Sequence, residues 1–224
     1  METANGQQAN YQIVGIADEA GDFVFLRSDD TLFASKSGTV AVSTGGAFSA
    51  QFYGYAEFGN QFADGSTHGT GNVTGTVQTQ TSISAQDSFV TAANTQSNGT
   101  LTLTFDSAYD TPPASVPLAG TYAPPTGSTW TASVTIDSGG DITSGPDSTT
   151  GCTVAGTALP ADSNHDVFNV TLTATGCSSM YSAYNGQSLT GMAALDTSAS
   201  PAQLIIGAFS TTANLAIGFT LSKQ

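Results

Sequence analysis

The chain has 224 residues, a formal net charge of −14, and only three basic side chains, Arg27, Lys36 and Lys223. A nucleic-acid binder needs cations to displace the counterions condensed on phosphates, and an anionic headgroup needs them too. With no Lys or Arg between Lys36 and Lys223, the sequence excludes nucleic acid as a partner and disfavours phosphorylated substrates and anionic lipids. Charged residues reach only 9%, and hydrophobic residues at 39% are enough to build cores for two domains of about 100 to 120 residues each.

Residues 1–10 (METANGQQAN) are polar and read as a flexible tail. From Tyr11 to the end, short alternating runs are separated by turn signals. Glu19-Ala20-Gly21-Asp22 and Ser28-Asp29-Asp30 mark the first two hairpin connections. Over 47–59, Phe48, Ala50, Phe52, Ala56 and Phe58 share one parity and face a core. Gln51, Tyr53, Tyr55 and Glu57 share the other parity, and exposed tyrosines beside amide and carboxylate groups suit sugar stacking or protein contact. A covered sheet face is the competing reading of the same residues. Gly69-Thr70-Gly71-Asn72-Val73-Thr74-Gly75 lacks the P-loop lysine and the dinucleotide-site spacing, so these glycines read as strand-edge or loop positions. In 99–106, Leu101, Leu103 and Phe105 alternate with Thr.

Five of the eight prolines fall at Pro112, Pro113, Pro117, Pro124 and Pro125. Proline cannot donate to a sheet ladder, so the cluster interrupts the strands. It places a linker at 108–117, between an N-terminal β domain at 11–107 and a C-terminal β domain at 118–224. Beyond it, Trp130, Ala132, Val134 and Ile136 alternate with hydroxyl side chains, followed by the Asp137-Ser138-Gly139-Gly140-Asp141 turn. Asp162-Ser163-Asn164-His165-Asp166 is a further turn, leading into Phe168, Val170, Leu172 and Ala174. Leu215, Ile217, Phe219 and Leu221 form the last alternating set. Period two with one polar face means antiparallel sheet against a core. The expected class is therefore all-β, with two antiparallel β domains, each a small barrel or a sandwich.

Cys152 and Cys177 are the only cysteines. With His68 and His165 they match no zinc spacing, and a disulfide in an oxidising compartment is the simpler reading. Two buried free thiols are the alternative. Tyr181 and Tyr184 flank Cys177 in a Ser-rich stretch and form a second candidate binding group.

The residues carry little catalytic chemistry. His68 sits in Gly65-Ser66-Thr67-His68-Gly69, which only imitates a nucleophile elbow, with Thr at the nucleophile position. Glutamate occurs only at Glu2, Glu19 and Glu57, and the aspartates fall mostly in turns, where they bond local backbone. Asp162-x-Asn164-x-Asp166 begins like a calcium loop, but Val167 stands where the loop needs glycine. The expectation is a non-enzyme with no cofactor and no metal site. A membrane-spanning barrel is disfavoured because most outward positions are Thr, Ser or Asn rather than a lipid-facing apolar band.

The segment from Phe105 through Tyr109, Pro112, Pro113, Ser115 and Pro117 to Leu118-Ala119-Gly120-Thr121-Tyr122 carries a resemblance, as do the Asp137–Gly145 turn and the Gly151-Cys152 and Gly176-Cys177 pairs. It resembles uncharacterised surface lipoprotein antigens of Gram-negative bacteria, well over the second half of the chain and loosely over the first. More distantly, the two-domain layout is similar to the barrels of factor H binding protein and transferrin-binding protein B. The resemblance implies an outer-membrane lipoprotein, surface or periplasmic, anchored through an N-terminal lipid on a cysteine that this sequence lacks. It implies binding to a host or bacterial surface protein or glycan. The alternative is a calycin-like carrier holding a small ligand inside a barrel.

Overall fold

The structure is a computed structural model that describes residues 2–4, 7–18, 20–35, 41–57, 60–113 and 117–224. It is all-β and divides into two compact units, Met1–Ser107 and Ala108–Gln224.

In the first unit the described strands are β1 (Glu2–Ala4), β2 (Gln7–Ala9), β3 (Ile13–Ala17), β4 (Phe23–Arg27) and β5 (Thr31–Ser35). They continue with β6 (Ala41–Val42), β7 (Ala47–Ala56), β8 (His68–Gln78), β9 (Ser82–Thr91) and β10 (Gln96–Thr104). They form one antiparallel, half-barrel sheet in the order β2-β1-β10-β9-β8-β7-β5-β4-β3, with β6 paired to β7. The expected turns at 20–22 and 28–30 close the first two hairpins, with Gly21 (φ 85°) and Asp30 (φ 57°) in the left-handed region that tight turns require. Glu19 lies outside the described residues. The stretch expected as a tail instead forms the β1–β2 hairpin on β10, with Glu2 opposite Gly99. An uncovered β10 would leave a row of backbone donors and acceptors unpaired, and this hairpin satisfies them.

Register decides which side chains share the concave face. Phe25 lies opposite Phe33, Phe33 opposite Gly54, and Gly54 opposite Gly69. In the next row Phe52, Gly71, Phe89 and Ser97 follow one another across four strands. Phenylalanines and glycines thus neighbour one another across the sheet, and the rings of Phe52 and Phe89 lie over the glycines. A Cβ at Gly54 would sit 2.6 Å from the Phe89 ring, and one at Gly71 would collide with the ring of Phe52. The run expected as strand-edge or loop glycine is therefore the floor of a central strand, β8.

In the second unit β11 (Gly120–Ala123), β12 (Val134–Ile136), β13 (Asp141–Ser144), β14 (Thr153–Pro160), β15 (Phe168–Thr175), β16 (Ser188–Asp196), β17 (Gln203–Ser210) and β18 (Leu215–Lys223) form a closed antiparallel barrel. Closure comes from β11 on β18, with Tyr122 opposite Lys223. The interior parity is aliphatic: Leu172, Leu189, Leu204, Ile206, Ile217 and Leu221 are fully buried. The strand expected from Trp130 begins only at Val134. Thr131 donates its N–H and its hydroxyl to Asp147 Oδ1, both at 2.7 Å, which draws this stretch off the ladder. The Trp130 ring packs 4.9 Å from that of Phe219 instead. Cys152 and Cys177 are disulfide-bonded and tie the paired ends of β14 and β15. Within the stretch expected as linker, Tyr109 stacks on His165 at 4.6 Å, and its carbonyl accepts the Asp166 N–H at 3.0 Å. That part packs on the second unit; residues 114–116 lie outside the described residues.

Candidate ligand-binding site

The concave face of the first sheet encloses a cavity of about 300 Å³, at the lower end of the range for small-molecule sites. Its walls are Phe23, Phe25, Phe33, Phe52 and Phe89, with Phe62 reaching in from the segment between Asn60 and Thr67. The rings contact one another edge to face, Phe33 to Phe52 at 5.5 Å, Phe33 to Phe89 at 5.9 Å and Phe62 to Phe89 at 5.3 Å, and Phe52 stacks on Phe89 at 6.0 Å. Such contacts hold flat walls in fixed directions.

The segment from Asn60 to Thr67 forms one side of the cavity and is fixed at both ends. Near its start, the Glu57 N–H donates to the Asp30 carbonyl at 3.0 Å and Asn60 Nδ2 donates to Asp30 Oδ2 at 3.2 Å. Near its end, Asp64 Oδ1 accepts from the Ser66 N–H at 3.0 Å and the Ser66 hydroxyl at 2.6 Å, while Asp64 Oδ2 accepts from the Thr91 hydroxyl. These hydrogen bonds, first those from the Ser66 and Thr91 side chains, hold the Asp64 carboxyl far below the usual carboxylate range. Asp64 therefore remains ionised and keeps the loop against the β9–β10 turn.

At the other side Arg27 meets Asp29 through two bonds, Nε to Oδ1 and a terminal nitrogen to Oδ2, both 2.8 Å. The same guanidinium lies over the rings of Tyr11 at 4.1 Å and Phe33 at 5.2 Å. Asp87 lines the cavity from β9, opposite Gly99. A Cβ at Gly99 would collide with the Asp87 carboxylate, so glycine is what leaves that group its place.

The residues expected to bind are distributed differently. Gln51 is exposed and Tyr53 half-buried, but Tyr55 and Glu57 are buried at 1% and 6% exposure. They do not form the open face expected of Gln51, Tyr53, Tyr55 and Glu57. Alternation in β7 holds as far as Ala56, but Leu32 and Ala34 are buried on the face that Tyr55 shares, so that face is a second apolar layer. Burial, with Tyr53 adding to it, pushes the Tyr55 phenol up. Phe58 and Gly59 lie outside the described residues. In the second unit Tyr181 is half-buried and Tyr184 buried, on a short 3-10 helix, Ser179–Tyr184, so this pair is not an open binding loop either.

His68 opens β8 rather than lying in a loop, opposite Tyr55, with Nδ1 3.4 Å from the Thr67 hydroxyl. His165 Nδ1 meets Asp162 Oδ2 at 2.9 Å. The calcium-like turn diverges: Asp162 Oδ1 accepts the Asn164 and His165 N–H groups, while Asp166 points inward and accepts the Leu195 N–H at 3.1 Å. Among the described residues no group of three or more His, Cys, Asp or Glu side chains is arranged to hold a metal ion.

The sequence raised a ligand-holding interior only as the alternative reading and did not place it in the first unit. Its signal was available: nine of the twelve phenylalanines precede Ser107, and glycines recur on one parity at positions 69, 71 and 75. The chain matches no known family model, no curated protein and no solved structure.

Proposed function

We propose that the protein is a binding module of the bacterial envelope, whose first unit receives a small, largely apolar ligand and whose second unit is a rigid support. The observation that carries this reading is the Phe-walled cavity of about 300 Å³ on an open sheet. An aromatic surface with a gap the size of a small molecule is what a ligand site requires, whereas a sheet built only for stability closes such a gap. The filled interior of the second barrel supports assigning it to support, and moves the carrier reading from a closed barrel to the half-open one. The disulfide supports a compartment outside the reducing cytosol. Anchoring by lipid at the outer membrane, and recognition of a host or bacterial surface protein or glycan, belong to the same proposal. No catalytic step is assigned.

The test is titration with N-phenyl-1-naphthylamine, an uncharged aromatic fluorophore. A saturable single-site rise in its emission is expected, with a Kd on the order of 10 μM. Ala63 is an exposed residue lining the cavity from the segment between Asn60 and Thr67, and Ala63→Trp should occlude the site and abolish the rise without touching the core. No saturable binding by the wild-type chain, or equal binding by a folded Ala63→Trp chain, would refute the reading.

A further inference from the structure

The first sheet ends in an edge that the ligand site does not use. Among the described strands, β3 is the last in the sheet order and pairs with β4 alone. The hairpin bonds fix which of its backbone groups face outward. The Ser28 N–H donates to the Gln12 carbonyl at 3.0 Å, and the Asp18 N–H donates to the Asp22 carbonyl at 2.9 Å. In an antiparallel ladder every second residue turns both its backbone groups toward the neighbouring strand. Gln12, Val14, Ile16 and Asp18 therefore face β4, and Ile13, Gly15 and Ala17 direct their N–H and C=O groups outward. Val14, Gly15 and Ala17 are exposed, and within the strand only Ile16 is buried.

Such an edge attracts another strand unless charge, proline or a bulge blocks it. β3 reads Ile13-Val14-Gly15-Ile16-Ala17, with no charged residue and no proline, and its register against β4 runs without a bulge. The outward row is also symmetric about Gly15. An identical strand laid antiparallel against it sets Gly15 opposite Gly15 of the second copy, and Ile13 opposite Ala17 in both directions. Every outward N–H then meets an outward C=O, and none is left over. Val14 falls beside Ile16 of the second copy, an apolar cross-strand pair. Asp18 falls opposite Gln12 of the second copy, so these acidic residues meet amides rather than each other. Self-pairing thus satisfies hydrogen bonding, apolar contact and charge in one register.

We propose that the protein forms a two-fold homodimer by antiparallel pairing of β3 with β3 of a second copy, centred on Gly15, so that the two half-barrel sheets continue into one another. A strand of five residues is a short interface, and each chain carries a net charge of −14. The association is therefore weak, with a Kd on the order of 100 μM. Salt strengthens it, because screening removes repulsion between two acidic copies while the backbone bonds remain.

The test is sedimentation equilibrium of the full chain from about 5 μM to about 1 mM, with amide exchange followed residue by residue by NMR. The mass should rise from one chain to two and no further. The Kd should tighten severalfold between about 0.05 M and about 0.5 M sodium chloride. With rising concentration the Ile13, Gly15 and Ala17 amides should gain tenfold or more in protection. Those of Val14 and Ile16, already bonded to β4, should change far less. Ala17→Pro puts a ring where an outward N–H was and breaks no bond to β4, so it should weaken association at least tenfold. Val14→Glu, at an exposed position, brings two like charges to the same face near the two-fold axis and should weaken it similarly. Gly15 is left intact, because a Cβ there would collide with the Phe25 ring. Protection across β4 and β5 shows whether each variant is folded. A chain that stays monomeric at about 1 mM, leaving the edge to a strand of another protein, would overturn the proposal. So would a mass growing beyond two chains, tighter association at low salt, or protection without that alternation. Folded Ala17→Pro and Val14→Glu chains that associate like the wild type would do the same. None of these outcomes bears on the ligand site, which the fluorophore titration tests separately.

Discussion

Each unit is built from antiparallel strands joined mostly by tight turns, yet they treat their inner faces in opposite ways. The second unit closes, and branched aliphatic side chains interdigitate until Leu172, Leu204 and Ile206 have no exposed surface. The first unit stays open and lines its concave face with phenylalanines that lie on glycines, around a cavity of about 300 Å³. Interior composition thus separates a solid unit from one with a cavity more clearly than strand number does: flat rings on bare backbone make walls, and branched chains make a solid.

The largest expected effects test this contrast directly. Leu204→Ala removes a fully buried chain from the closed barrel and should lower its stability by about 4 kcal/mol, because little can collapse into the space. Phe33→Ala, at a half-buried wall position, should destabilise by only about 1 to 2 kcal/mol and instead reduce probe binding. Trp130, the only tryptophan, packs in the second unit, so its fluorescence reports chemical denaturation there, while the bound probe reports on the first. Comparable losses of stability from both substitutions would erase the distinction.

Removing the disulfide comes next. Cys152 and Cys177 are separated by 25 positions, and for that loop the chain-entropy model gives about 3.5 kcal/mol. A Cys152→Ser, Cys177→Ser chain should show an earlier Trp130 transition and an unchanged affinity for the probe. A matching loss of probe binding would mean that the two units do not behave separately.

The fold was more legible in the sequence than the site, for a physical reason. Alternation such as Phe168, Val170, Leu172 and Ala174 is enforced locally by the strand, and the hairpin turns carry their own glycine and aspartate chemistry. The cavity depends on long-range register. Nothing local says that Phe52 will lie beside Gly71 and then Phe89, because those contacts join three strands. The tyrosine face failed for a related reason. Parity correctly separates Tyr55 from Phe52, but a central strand can have both faces buried, and parity does not say which is open. The β1–β2 hairpin escaped notice because polar residues such as Gln7 and Gln8 carry no alternation, and it is the unpaired edge of β10 that recruits them.

A smaller effect sharpens the comparison through pH. In the barrel, burial raises the Asp166 carboxyl to about 6, against a hydrogen bond from the Leu195 N–H that acts to lower it. Oδ1 of the same group has no hydrogen-bond partner among the described residues. The folded state therefore holds this proton at pH values where the unfolded chain, with an ordinary aspartate near 4, has released it. The contribution is fully present below about pH 4 and is lost as pH rises through about 6, on the order of 1 kcal/mol after allowance for partial solvation. Asp147, near the disulfide, runs the other way. Burial raises its carboxyl, but hydrogen bonds from Thr131 and Thr150 outweigh that and hold it below the usual value, so its contribution is lost in acid. Asp166→Asn should flatten the Trp130-detected stability between about pH 4 and 6 and leave the acid limb intact. An unchanged slope in that window would show that Asp166 is not its source.

The smallest expected effect is confined to the cavity's loop. Asp64 accepts from Ser66 within the loop and from Thr91 across to β9, and the low affinity of its carboxyl for protons keeps those bonds charge-assisted into acid. Asp64→Ala removes the acceptor and leaves the sheet, the Phe walls and Asp87 in place. The Phe62–Ser66 turn, closed by the Phe62 N–H donating to the Ser66 carbonyl at 2.8 Å, should then exchange its amide hydrogens severalfold faster. Protection across β8 and β9, and throughout the second unit, should not change. Because Phe62 forms part of the cavity wall, the same substitution should speed probe dissociation more than it weakens the equilibrium between folded and unfolded chain. Uniformly faster exchange across the first unit would instead make Asp64 a general stabiliser of the sheet, and the cavity would have no wall held in place separately from its floor.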